Sequence, residues 1–97
     1  MKIEFDLKMD AANLEQRGIS LTESETLLQG LTIEREDRRR NYGERRIIAI
    51  GEIEGREFVC VYTRRGPTVR PISLRRANRK ERDVYQQAKA AQDDAGG

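Results

Sequence analysis

The sequence has no histidine and no tryptophan, one cysteine, two prolines and only three tyrosines and two phenylalanines in 97 residues. The missing histidine removes the Ser-His-Asp and Cys-His constellations and the two-histidine metal motifs, so any chemistry must come from arginine, lysine, tyrosine or carboxylates. Cys60 has no partner for a disulfide, and a zinc site of cysteines and histidines lacks its ligands. We expect no cofactor and no metal. No apolar run approaches the roughly 18 residues of a membrane span, and Met1 to Phe5 lacks the apolar stretch of a signal peptide. The expectation is a soluble, cytoplasmic protein with no membrane partner. With so few aromatics, one thin core of Ile, Leu and Val must hold a single small domain.

Charge is abundant: 37% of residues are charged, for a net charge of only +2. The distribution is uneven. Residues 1 to 34 carry three basic and seven acidic side chains (net −4), whereas residues 64 to 82 carry eight basic ones against Glu81 alone (net +7). Such asymmetry points to a polyanionic partner.

Alternation in Lys2 to Phe5 predicts a short edge strand with Ile3 and Phe5 inward. From Asp6 to Arg17, Leu7, Ala11 and Leu14 recur at i, i+4 and i+7, predicting a helix with one apolar stripe towards the core, closed by Gly18. Ser20 and Glu23 have the spacing of a capping box and begin a shorter helix that Gly30 ends. Leu31 to Arg35 reads as a strand and Glu36 to Gly43 as a solvated loop, its Arg38-Arg39-Arg40 run balanced by nearby acids. Arg46 to Ile53 and Glu57 to Thr63 are the central strands, joined at Gly55, with Cys60 a core residue. After the turn at Gly66-Pro67, Val69 to Leu74 is a last strand that Pro71 confines to an edge or a bulge. Asn78 with Glu81 caps a final helix through Val84, Tyr85, Ala88 and Ala91. The predicted fold is an α+β domain spanning residues 1–91 in the order β-α-α-β-β-β-β-α, with an antiparallel sheet and a frayed or disordered tail at 92–97.

One local conflict stands out. Arg75, Arg76, Arg79 and Lys80 crowd the start of the last helix, where the helix dipole favours acids. Together with unpaired helix N–H groups they would suit a phosphate or carboxylate. Arg64, Arg65 and Arg70 would merge with this cluster if the last two strands form a hairpin, and Tyr62 would either offer a stacking surface at its rim or fill the core. Glu52, Glu54 and Glu57 surround an exposed hairpin tip and receive no role.

Six segments in order, Asn13 to Ser20, Glu36-Asp37, Tyr42 to Arg46, Ala49-Ile50-Gly51, Val61 to Gly66 and Arg70 to Arg82, make the chain resemble the BrnT family of type II toxins from Ile3 to Tyr85. Where that family commonly has Lys-His, this chain has Gln16-Arg17. The resemblance implies a RelE-like fold, a ribonuclease that stops translation, and neutralisation by a BrnA antitoxin with a ribbon-helix-helix domain, which alone would contact operator DNA. In RelE-like nucleases the 2′-hydroxyl attacks the adjacent phosphate, so a base, charge stabilisation and an acid are required. On this reading Arg65, Arg70, Arg75 and Glu81 are catalytic, with Glu81 the base ahead of Tyr62, Lys80 or Glu44. Arg46, Tyr62, Arg64, Arg76, Arg79 and Lys80 bind RNA. The alternative is a degenerate homologue serving as an RNA- or protein-binding module.

Overall fold

The computed structural model describes the backbone of residues 1–96 and the side chains of residues 1–93. The elements are β1 (Lys2–Ile3), α1 (Leu7–Arg17), a 3₁₀ turn (Leu21–Glu23), α2 (Ser24–Gln29), β2 (Ile33–Glu36), β3 (Arg46–Ile53), β4 (Arg56–Arg65), β5 (Thr68–Arg76) and α3 (Arg79–Gly96). The sheet order is β1-β5-β4-β3-β2. Four strands pair antiparallel as expected, but β1 runs parallel to β5, so the sheet is mixed. No hairpin links β1 to β5, so nothing forces them to be antiparallel. α3 extends past Ala91, the end expected from sequence, while Gly97 of the expected tail falls outside the described residues. Among the described residues, no helix is long and apolar enough to cross a membrane.

The two-residue period of the strands gives the sheet two distinct faces. One carries Ala49, Ile53, Phe58, Cys60, Tyr62, Val69 and Leu74, which form the main core with Leu21 and Leu27 from the 3₁₀ turn and α2. We call this the covered face. α2 lies so close that a Cβ on Gly51 would stand 2.8 Å from Leu27 Cγ and 3.3 Å from its carbonyl oxygen, so only glycine fits there. The opposite, open face carries Ile48, Val59 and the partly buried Ile50 and Val61, with Ala77 packed against them. α3 crosses only one end of it, held by Tyr85, whose one hydroxyl hydrogen lies within reach of two acceptors, the Leu31 carbonyl (3.0 Å) and Glu52 (3.2 Å).

Two sequence expectations meet a different outcome. The Asn78–Glu81 capping box forms reciprocally, at 2.8 and 2.9 Å, but the Ser20–Glu23 box does not. Ser20 caps Thr22 instead and donates to Asp10 at 2.7 Å, and Asp10 also accepts from the Leu21 amide. α1 is turned the other way from its predicted orientation. Leu7 is 83% and Leu14 53% exposed, and the buried residue of the helix is Asn13. The Asn13 amide donates to the carbonyls of Leu74 and Ile19 (both 2.9 Å) and accepts from the Leu74 amide (3.0 Å). It thus satisfies the β5 edge beyond the reach of two-residue β1, where a bare strand would leave backbone groups unpaired.

Candidate functional site

The open face gathers arginines from four separate elements. A cavity of about 210 Å³ is lined by Arg17 at the end of α1, Arg35 of β2, Arg39 of the following loop and Arg75 of β5, with Glu81 of α3; Ile48, Val59, Val61 and Ser73 form its floor. It adjoins a second cavity of about 440 Å³ that shares Arg35, Ile48 and Glu81 and is more apolar, with Ile33, Ile50 and Val84.

Local structure aims each side chain. Arg70 and Arg75 are five residues apart and would face opposite sides of a regular strand. The register shifts at Val61/Tyr62, where Ser73 faces Val61 and Pro71 faces Tyr62, leaving Ile72 as the extra residue of a bulge. This is the irregularity expected at Pro71, and it turns Arg70 and Arg75 to the same face. Arg46, Thr63 and Arg70 then form one row across β3, β4 and β5. The Nε atoms of Arg46 and Arg70 are buried without a hydrogen-bond partner, with Glu44 and Glu4 at 3.8 and 3.4 Å. The Arg46 guanidinium also lies over the Tyr42 ring, 4.0 Å from its centroid.

Two carboxylates are clamped by the cavity's arginines, Glu81 in its lining and Asp37 behind Arg39. Glu81 accepts both guanidinium nitrogens of Arg75, at 2.9 and 2.8 Å, and the Asn78 amide at 2.8 Å. The Arg75 guanidinium holds the Glu81 carboxyl below the usual carboxylate range, and Glu81 in turn raises Arg75. Asp37, its side chain 1% exposed, accepts two nitrogens of Arg39 at 2.9 and 2.8 Å and the Tyr42 hydroxyl at 3.0 Å. The Arg39 guanidinium, then the Arg39 amide and the Tyr42 hydroxyl, hold its carboxyl well below the ordinary value.

Other expected site residues lie elsewhere. Arg76 turns to the covered face, 5.8 Å from the Phe58 ring centroid, so it separates from Arg75 by the alternation of the strand. Arg64 likewise sits 5.7 Å from the Tyr62 ring centroid on that face. Tyr62 is only 4% exposed and belongs to the core, while also lining, with Ile47 and Arg64, a separate cavity of about 420 Å³. Its hydroxyl donates to Glu34, and burial followed by that carboxylate pushes its pKa up to about 12. Arg65 is at the exposed end of β4, Arg79 is exposed at the start of α3, and Lys80 borders the apolar cavity. Sequence reasoning missed Arg17, Arg35 and Arg39. Arg35 shares the parity of Ile33, and an arginine in the apolar register of a strand was the available signal for it.

Residues 5–81 match the family model described as "Ribonuclease toxin, BrnT, of type II toxin-antitoxin system". The chain belongs to this family. No curated protein matches the sequence. The matched span contains every arginine of the main cavity and ends at Glu81, so the BrnT region includes the whole cavity lining and excludes most of α3. Membership makes this a ribonuclease toxin, and a type II system implies an antitoxin partner.

Proposed function

We propose that this BrnT toxin binds and cleaves RNA on the open face, without a metal ion, and so stops translation in the cytoplasm. The observation that carries the reading is the convergence of Arg17, Arg35, Arg39 and Arg75 on one cavity with an apolar floor. Phosphates fit the arginine rim, and bases fit the apolar cavity beside it. The row of Arg46 and Arg70, with their unpartnered buried donors, suits a neighbouring phosphate. In the step itself the 2′-oxygen bonds to phosphorus as the bond to the 5′-oxygen breaks, leaving a 2′,3′-cyclic phosphate and a 5′-hydroxyl. Fixed guanidinium charge stabilises the pentacoordinate phosphate, the positive charge a metal would otherwise bring. Arginine stays protonated, so water carries the protons. Glu81, with both oxygens occupied, acts as a positioning residue that orients Arg75 rather than as the base. The partner on this reading is a BrnA-like antitoxin with a ribbon-helix-helix domain, acidic where it covers these arginines, and operator DNA is met only through it.

Incubation of the purified chain with RNA in excess EDTA tests the enzyme claim: products ending in 2′,3′-cyclic phosphate are expected, and intact RNA would overturn it. A second reading, RNA binding without cleavage, is favoured by the clamping of both carboxylates. It shares the salt signature of about three phosphate contacts on a single strand, a log–log slope near roughly −2, but yields no product. Co-purification from the native host tests the antitoxin, and recovery of the toxin without a small ribbon-helix-helix protein would contradict that part.

A further inference from the structure

α1 is an amphipathic helix facing the wrong way for its own core. At 3.6 residues per turn, Leu7, Ala11 and Leu14 fall within an arc of roughly 60°. All three are exposed, while Asp10 and Asn13 turn towards the protein and make their hydrogen bonds there, Asp10 through Oδ1 and Asn13 through both amide atoms. An apolar stripe presented to water while the same helix spends polar side chains on its inner contacts is the pattern of an interaction surface.

The sequence of the stripe is complementary to itself under a two-fold rotation. We propose that a second copy of this chain covers it, laying its own α1 antiparallel across the first with the two Ala11 residues at the centre. Alanine permits close approach there. Leu7 of one copy meets Leu14 of the other, and the same rotation repeats the contact. Lys8 and Glu15 flank the stripe on one side, roughly 70 to 95° from its centre. In the antiparallel arrangement each Lys8 falls beside the other copy's Glu15, giving two symmetric opposite-charge pairs. Within the chain neither residue enters an ion pair among the described residues.

An 11-residue helix is about 16 Å long and cannot alone bury the roughly 1,200 Å² of a standard stable interface. The expected dimer is therefore weak, with a Kd on the order of 100 µM. Such a contact acts where copies are already held close, as they are on the reading above if the antitoxin is dimeric. The proposal itself stands on α1 alone and survives if that reading fails.

Sedimentation equilibrium of the full chain from about 10 µM to 1 mM, with circular dichroism to verify folding, provides the test. A concentration-dependent dimer is expected, weakened at least about tenfold by Leu14→Glu, whose site is exposed and outside the core. Lys8→Glu alone should weaken it several-fold, and Lys8→Glu combined with Glu15→Lys should restore it, because the swapped charges again face each other. A monomer throughout that range would overturn the proposal, as would a dimer indifferent to Leu14→Glu or not rescued by the double swap. If Leu14→Glu instead abolishes capture of the antitoxin while the chain alone stays monomeric, the stripe belongs to the antitoxin and the second copy is excluded.

Discussion

The two faces of this sheet are built from the same strands, residue alternating with residue, and they have been put to opposite uses. On the covered face Ala49, Cys60 and Leu74 are fully buried against Leu21 and Leu27, and two arginines that point that way, Arg64 and Arg76, lie beside aromatic rings at its margins. On the open face the apolar residues serve as the floor of a cavity, and arginines from α1, β2, a loop and β5 rise around it. Stability is concentrated on the first face and electrostatic potential on the second. Like charges at such density are costly for folding, and carboxylates that reduce this cost stand each against one guanidinium, Glu81 with Arg75 and Asp37 with Arg39 most closely, Glu4 with Arg70 and Glu44 with Arg46 at longer range.

The division of labour can be broken from either side. Leu27→Ala on the covered face removes a fully buried side chain packed over Gly51. It should cost about 3 to 5 kcal/mol, read as a lower denaturation midpoint in urea, while the variant that remains folded keeps its affinity for RNA. Asn13→Ala, at the sheet edge, leaves two carbonyls and an amide without their partner and should cost about 2 to 3 kcal/mol in the same measurement. On the open face, Glu81→Gln keeps a side chain that can still hold Arg75. If Glu81 only positions, kcat for RNA cleavage should fall less than about tenfold with an unchanged pH profile; the larger loss of about a hundredfold or more, with the loss of an acidic limb, is expected of a base.

Acid distinguishes the faces more gently. Glu81 and Asp37 have folded-state pKa values below their unfolded values, Glu81 through Arg75 and Asp37 through Arg39. Their contribution is therefore fully present above the unfolded values of roughly 4 and is lost as pH falls through the folded ones. The urea midpoint should decline below about pH 5, and Asp37→Asn should flatten that decline; apolar packing on the covered face has no such dependence.

What could be read from sequence follows the same line. β3 and β4 were legible because β-branched runs, a turn at Gly55 and alternation all agree, and the Asn78–Glu81 cap because its spacing is local. α1 was legible as a helix but not in orientation: periodicity identifies a stripe without saying whether the core or a partner receives it, and Asn13 took the inward position because the β5 edge needed an amide more than another leucine. The arginine cluster was legible as charge but not as a site. Arg75 and Arg76 are neighbours in sequence and face opposite ways, whereas Arg17, Arg39 and Arg75 are far apart in sequence and share one cavity. The Pro71 bulge, visible in advance, was the clue that parity along β5 would change, yet only the pairing register shows where.

The most direct test compares arginines by face. Arg39→Ala and Arg75→Ala on the open face, and Arg64→Ala and Arg76→Ala on the covered face, each remove one positive charge, so net charge is matched across the set. With RNA cleavage measured at constant salt in EDTA, each open-face variant should lose about a hundredfold or more in kcat/KM, and each covered-face variant should stay within about threefold of the unsubstituted protein. Equal losses on both faces, or full activity in Arg39→Ala and Arg75→Ala, would contradict the assignment of the ribonuclease site to the open face.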